Sequence, residues 1–410
     1  MGKKRISRGI RVLKNEGFIA LNIKALQKLE RRQKKQHKIT KVNFSFLAKE
    51  SDVIKADWTK VVAQKVTRQS KKPPYTINWV MSPPGRGSGG HQNIFRFIKY
   101  LEDQGHTCRV YLYSATIHPS VEQVKDILED SYPKTKAKIS WYSGSMDASD
   151  AVFATGWETA YPVLNDPSKA RRFYFVQDFE PLFYPVGSEY ILAENTYRFK
   201  FFGITAGNWL ATKLKNDYGM QTQHYDFGSE DELYSYKNSK KRKEIFFYAR
   251  PVTARRGFEL GIMALEIVAK ALPDYTITLA GWDVSNYNIP FKYQNLKTLP
   301  LEALNDVYNN CAAALVVSLT NMSLLPLELL ACGTIPVVNK GQNNEMVSQN
   351  PYIHYADPSP AALAEAIITT VQRKDIVEYG KKASQSVKSS SWSKAGEIVE
   401  STLIKELSNG

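Results

Sequence analysis

A chain of 410 residues is long enough for two or three ordinary domains with sizeable cores. Its 43% hydrophobic content and mixed charge exclude a disordered polymer. The net charge of +15 is local: residues 1–42 hold 14 Lys and Arg against Glu16 and Glu30, so +12 lies there and the body is nearly neutral.

The chain opens on a basic arm, read here as residues 1–72. Phe18, Leu21, Ala25 and Leu29 recur at helical spacing, and Ile19, Ile23 and Leu26 widen the apolar stripe. Such a helix can dock on an anionic membrane surface through residues 1–42, or pack as a solvated arm on the body. Nucleic acid is not expected as a partner, because the arm lacks interleaved aromatics and any reading module.

From residue 73 the pattern alternates strand and helix, which predicts an α/β body with parallel sheets. Strands are expected at 75–81, 108–113, 151–156, 173–179 and 201–207, with a Pro- and Gly-rich loop over 82–90. A helix near 190–199 is expected between the last two. A lysine-rich break, KNSKKRKE at 237–244, then separates a first domain, 73–240, from a second, 241–390. The second repeats the pattern, with strands at 245–250, 275–281, 313–319 and 335–340. Its helices are expected at 256–272, 301–311 and 324–332. Residues 391–410 read as a last amphipathic helix that can cross back to the first domain. The three cysteines show no metal or disulfide spacing. With no leader pattern and no apolar run near 18 residues, the expectation is a cytoplasmic protein, peripheral at most on the inner face of the membrane.

In open α/β sheets, ligands bind beyond the carboxyl ends of the strands, and three segments carry suitable residues there. PPGRGSGG (83–90) follows the first strand. Gly89 and Gly90 let backbone approach a ligand, though a tight βα connection accounts for them too. Its literal GxGxxG lacks the acidic residue a dinucleotide site wants after the second strand. In YARPVTARRG (248–257), Arg250, Arg255 and Arg256 can converge on a diphosphate with bidentate hydrogen bonds; solvated basic side chains are the alternative. In SLTNMSLLPLELLACG (318–333), the N–H groups of Ser323 and Leu324 can hold phosphate oxygens. Glu328 sits among apolar neighbours and needs a partner, either a ligand hydroxyl or a salt bridge. Asp178 and His91 are candidates for sugar or acceptor contact, with helix capping and a structural histidine as the alternatives. No Asp-x-Asp pair or His/Cys cluster appears, so no metal is expected.

These three segments, in this order, resemble the GT-B glycosyltransferases, and within them the retaining family 4. GG at 89–90 with the later QGHTCRVYLY resembles the family's opening segment. Arg250 and Arg256-Gly257 resemble its basic segment, with Arg256 where Lys is usual. LELLACGTIPVV resembles its Glu-containing helix, the most specific match of the three. The resemblance covers roughly residues 75–400. GGHQNIFRF, QDFEPLFYP and YARPVTARRGFELG look like bacterial rhamnosyltransferases of rhamnan and S-layer glycan synthesis.

The resemblance implies two Rossmann-like domains facing across a cleft and no resident cofactor. It implies a nucleotide-sugar donor, dTDP-L-rhamnose, and an oligosaccharide or lipid-linked glycan acceptor. It assigns Arg250, Arg256 and Glu328 to catalysis, and Gly89, Gly90, Arg255, Thr320, Ser323 and Leu324 to the donor. Two departures stand out: Thr320 replaces the first of the family's two Glu, and Gln177 stands where a histidine is frequent. An epimerase of the same architecture and a non-catalytic glycan-binding protein are the competing readings.

Overall fold

The computed structural model describes residues 46–62, 66–67, 69–230 and 232–408. The amphipathic stripe within residues 1–42 lies outside them. Residues 46–410 form one unit built on two sheets.

The first sheet contains β1 (Thr76–Met81), β2 (Thr107–Leu112), β3 (Lys138–Trp141), β4 (Ala151–Ala154), β5 (Arg171–Val176), β6 (Phe202–Ala206) and β7 (Thr222–Tyr225). Their spatial order is β3-β2-β1-β4-β5-β6-β7, with every pairing parallel. The second contains β8 (Glu244–Tyr248), β9 (Thr276–Ala280), β10 (Gln294–Asn295), β11 (Cys311–Val316), β12 (Ile335–Asn339) and β13 (His354–Ala356). Its order is β10-β9-β8-β11-β12-β13, again all parallel. These are two doubly wound α/β domains, as expected. The central strands are mostly apolar because helices cover both faces. Trp79, fully buried on β1, stacks on Phe153 of β4 at 4.2 Å, and Phe153 stacks on Phe173 of β5 at 4.8 Å.

Two segments depart from the sequence reading. Residues 46–72 do not belong with the arm, because their described part packs on the first sheet. The Tyr113 hydroxyl accepts from the Lys49 N–H (2.8 Å) and donates to Asp52 in the Glu50–Lys55 helix (2.8 Å). The buried Asp150 carboxylate takes the N–H groups of Gln69, Ser70 and Thr76 at 2.6–2.8 Å. In the lysine-rich break, Arg242 is buried. Its guanidinium donates to the carbonyls of Asn238, Cys311 and Cys332 and to Thr334 Oγ1, at 2.8–3.3 Å. A basic residue in a basic run thus anchors the second domain's first strand.

The Trp392–Ser408 helix returns to the first domain. Gly396 lies flat against Tyr100, His106 faces Glu400 at 3.3 Å, and Arg171 pairs with Glu406 at 2.6 Å. The Phe258–Ala271 helix starts at Gly257, which adopts a left-handed φ of +53°. A Cβ there would lie 2.5 Å from Val317 Cγ1. Gly257→Ala therefore combines a left-handed alanine with a clash, and should cost about 2–4 kcal/mol in a denaturant melt.

Candidate functional site

Each sheet reverses its winding once, between β1 and β4 and between β8 and β11. The crevice beyond those carboxyl ends is where such folds bind ligands. In the second domain the loops that line it are 249–257 and 317–324. They hold the arginines and the Ser-Leu-Thr-Asn segment singled out in the sequence.

Three guanidinium groups gather there. Arg250 donates to the Tyr248 hydroxyl at 3.0 Å, and its buried Nε has no hydrogen-bond partner among the described residues. Arg256 donates to Ser318 Oγ at 2.9 Å. Arg255 lies 4.2 Å over the Phe183 ring, its Nε 3.6 Å from Asp178. Burial pulls the Arg256 guanidinium below the usual arginine range, and Asp178 opposes that pull. Arg255 and Arg250 add to it by repulsion, as close like charges do. Among the described residues, one carboxylate, Asp178, stands against these three cations.

The loop after β11 is braced by asparagines that the sequence reading passed over. The Ser318 carbonyl accepts from Asn339, Asn343 and Asn344, each at 3.0 Å. Asn339 also accepts from the Ser318 N–H at 2.8 Å, and Asn343 bonds the Thr320 carbonyl. The run NKGQNNE (339–345) was the signal available, since clustered Asn side chains after a strand can satisfy loop backbone.

Asp178 does not face an open cleft. It follows β5 of the first domain, and its carboxylate crosses to the second. There it accepts from Thr320 Oγ1 and from the Asn321 N–H, both at 2.8 Å. Asn321 reciprocates, donating to the Gln177 carbonyl at 3.0 Å and the Ala206 carbonyl at 2.9 Å. Burial pushes the Asp178 carboxyl up; the Asn321 N–H, Arg256, Arg255 and Thr320 hold it back. Two of the singled-out residues, Asp178 and Thr320, therefore meet each other and close the domains together.

On the first domain's side, the Gly89–Asp103 helix begins at the crevice, capped by Ser88, whose Oγ accepts from the His91 N–H. Gln177 pins this helix start by donating to the Gly90 carbonyl at 3.0 Å and accepting from Asn93 at 3.1 Å. An added Cβ at Gly89 would meet nothing within 4 Å, so protein packing does not demand glycine there. His91 turns into its own loop: Nδ1 meets Ser88 Oγ at 2.8 Å and Nε2 meets the Ser82 carbonyl at 3.0 Å. Both ring nitrogens are committed, and burial keeps the ring below the ordinary histidine pKa.

Ser323 and Leu324 precede a helix of seven residues, Leu325–Ala331. Their N–H groups make no hydrogen bond with another described residue. Glu328 is half-buried in that helix, and its carboxylate has no hydrogen-bond or ion-pair partner among the described residues. Burial pushes its carboxyl up to about 7, Glu230 adds to the rise, and Arg96 opposes it. Arg96 is itself held between Glu230 and the Trp392 ring, 3.8 Å away.

The sign of the Glu328 effect follows from linkage. A carboxyl raised above its ordinary 4.5 contributes stability when protonated and loses it as pH rises through about 7. Glu328→Gln should therefore melt higher than wild type at pH 8, the gain shrinking to nothing near pH 4.5. Melting curves across that range check it.

Among the described residues, no group of three or more His, Cys, Asp or Glu side chains is placed to hold a metal ion. No described helix is long and apolar enough to cross a membrane.

Comparison with known proteins meets this geometry. Residues 243–368 match the model for "WsaF, C-terminal domain", and residues 133–208 that for "WsaF, N-terminal domain". A structure of Anabaena Alr3699/HepE with UDP and glucose superposes with a TM-score of 0.60 at 14% identity, over 80% of this chain and 99% of that one. The fold is GT-B. A second GT-B neighbour, an S. aureus TarM variant with fondaparinux, alpha-GlcNAc-glycerol and UDP, gives a TM-score of 0.63 at 9% identity. It spans 82% of this chain and 100% of that one. In sequence, the O-antigen biosynthesis protein RfbC of Myxococcus xanthus is 32% identical over 255 residues, 60% of this chain. The chain spans about a fifth of that protein's length.

Proposed function

We propose that the chain is a glycosyltransferase of polysaccharide synthesis that takes its sugar from a nucleoside diphosphate. The observation that carries this reading is the surplus of positive charge at the β8/β11 switch point. Arg250, Arg255 and Arg256 face one carboxylate, and the remaining charge calls for an anion such as a diphosphate. The matches to both WsaF domains and to the O-antigen protein support the reaction class. GT-B neighbours solved with UDP support a nucleotide donor.

The finer reading is L-rhamnose from dTDP-L-rhamnose, delivered in the cytoplasm to a growing, lipid-linked surface glycan. No resident cofactor takes part. Arg250 and Arg256 stabilise negative charge on the departing diphosphate as the bond from the sugar's anomeric carbon to its oxygen breaks. The acceptor hydroxyl bonds to the same face of that carbon, and its proton passes to the leaving diphosphate, so configuration is retained. Glu328, unpartnered and able to ionise near neutrality, accepts the ribose hydroxyls. Its ionised form binds better, so donor affinity rises with pH through about 7.

The test is a panel of nucleotide sugars scored by melting temperature. dTDP-L-rhamnose should stabilise most, and free dTDP should appear only when acceptor is added. Stabilisation by another sugar nucleotide would replace the donor. Conversion of donor without acceptor would favour an epimerase.

A further inference from the structure

A cavity of about 710 Å³ opens at the amino edge of the first sheet, on the side away from the crevice. Its walls come from the starts of β5, β6 and β7, from the end of the Asn208–Tyr218 helix, and from Trp58, Thr59, Val61, Val62 and Val66. Four cations line it: Arg171, Arg172, Arg198 and Lys200.

Two of them are spoken for. Arg171 pairs with Glu406 at 2.6 Å, and Arg198 with Glu194 at 3.3 Å. The other two are not. Among the described residues, Arg172 makes a single hydrogen bond, from Nη2 to the Asp166 main-chain carbonyl at 2.9 Å. Its buried Nε and its Nη1 find no hydrogen-bond partner among those residues. Burial pulls its guanidinium below the usual range, and the Asp166 carboxylate and Tyr142 oppose that pull only in part. Lys200 is exposed, adopts a left-handed φ of +59°, and makes no hydrogen bond or ion pair with a described residue. The one lining carboxylate, Asp217, already holds Lys213 at 2.7 Å.

The mouth is apolar. Trp58 is 38% exposed and Val62 77% exposed, both lining the cavity. Arg198 lies 5.2 Å from the Trp58 ring centroid, so the aromatic and basic groups adjoin. A buried guanidinium short of hydrogen bonds, an exposed lysine with no described partner and exposed apolar side chains together match a phosphate that carries a hydrocarbon chain. We propose that this cavity holds the phosphate head group of an anionic lipid, with Trp58 and Val62 meeting its acyl region. The site is separate from the donor crevice and does not depend on the donor reading.

The test uses the full chain and vesicles of phosphatidylglycerol mixed with phosphatidylcholine, against phosphatidylcholine alone. Lys200→Glu is an exposed change that should leave the melting temperature unaltered, while Trp58→Ala gives up the contact with Arg198 and should lower it slightly. Residues 1–42 are identical in all three proteins, so any difference between them reads the cavity. The expected result is binding to the anionic vesicles weakened about tenfold by Lys200→Glu and about threefold by Trp58→Ala. Equal binding by the three proteins would overturn the proposal. So would inorganic phosphate raising the wild-type melting temperature while vesicle binding stays indifferent to both substitutions; the cavity would then hold a free anion, not a lipid.

Discussion

Arg250→Ala should lower transfer about 100-fold to 1000-fold while the protein melts almost as before. The asymmetry comes from what Arg250 does in the folded chain. It gives one hydrogen bond, to Tyr248, and leaves a buried Nε with nothing to bond. Losing a single bond of this kind costs about 1 kcal/mol. Removing the cation also relieves repulsion with Arg256, which offsets part of that cost. What is lost is the charge that would face the departing diphosphate. Single-turnover rates with the donor that most stabilises the protein measure the effect. Near-normal rates would remove Arg250 from the chemistry and, with it, the main ground for the proposed reaction.

Asp178→Ala should act mainly on structure. The substitution orphans Thr320 Oγ1 and the Asn321 N–H, and it strips Arg255 and Arg256 of their nearest carboxylate. Breaking a buried, hydrogen-bonded charge typically costs about 3–5 kcal/mol. Because the bonds run between the domains, the loss should also let them part. Small-angle scattering should show a larger radius of gyration for Asp178→Ala, together with a lower melting temperature. Asp178→Asn can still accept one of the two bonds and should fall between. An unchanged radius would mean that Asn321, through the Gln177 and Ala206 carbonyls, suffices to hold the domains closed.

The fold was legible where strands are central and their flanks uniform. β1, β5, β8 and β11 each carry a long apolar run that marks a strand, even where polar residues such as Arg171, Arg172 and Glu244 begin it, and were read directly. The edge strands β3 (KISW), β7 (TQHY), β10 (QN) and β13 (HYA) were not, because they are short, half-exposed and polar enough to pass for loop. Arg250, Arg256 and Glu328 could be found because each follows a recognisable strand or interrupts an apolar helix. The roles of Asp178 and Thr320 could not. Their bond joins residues 142 positions apart, and nothing local in VQDFEP or SLTNMS announces a partner in the other domain. The bonds of His91, by contrast, are local. Its partners, Ser82 and Ser88, lie within nine residues, inside a loop that looked built for a ligand.

The return of the Trp392–Ser408 helix means that the polypeptide passes between the domains twice, once through residues 226–243 and again before Trp392. Two tethers restrict relative movement more than one: they define an axis, and shearing or free rotation about a single linker is suppressed. The same path makes the first domain discontinuous in sequence. A chain ended before Trp392 would lack the wall that seats against Tyr100 and His106 and would leave Arg171 without Glu406. The first domain is therefore complete only after the second has been synthesised, which orders assembly during translation.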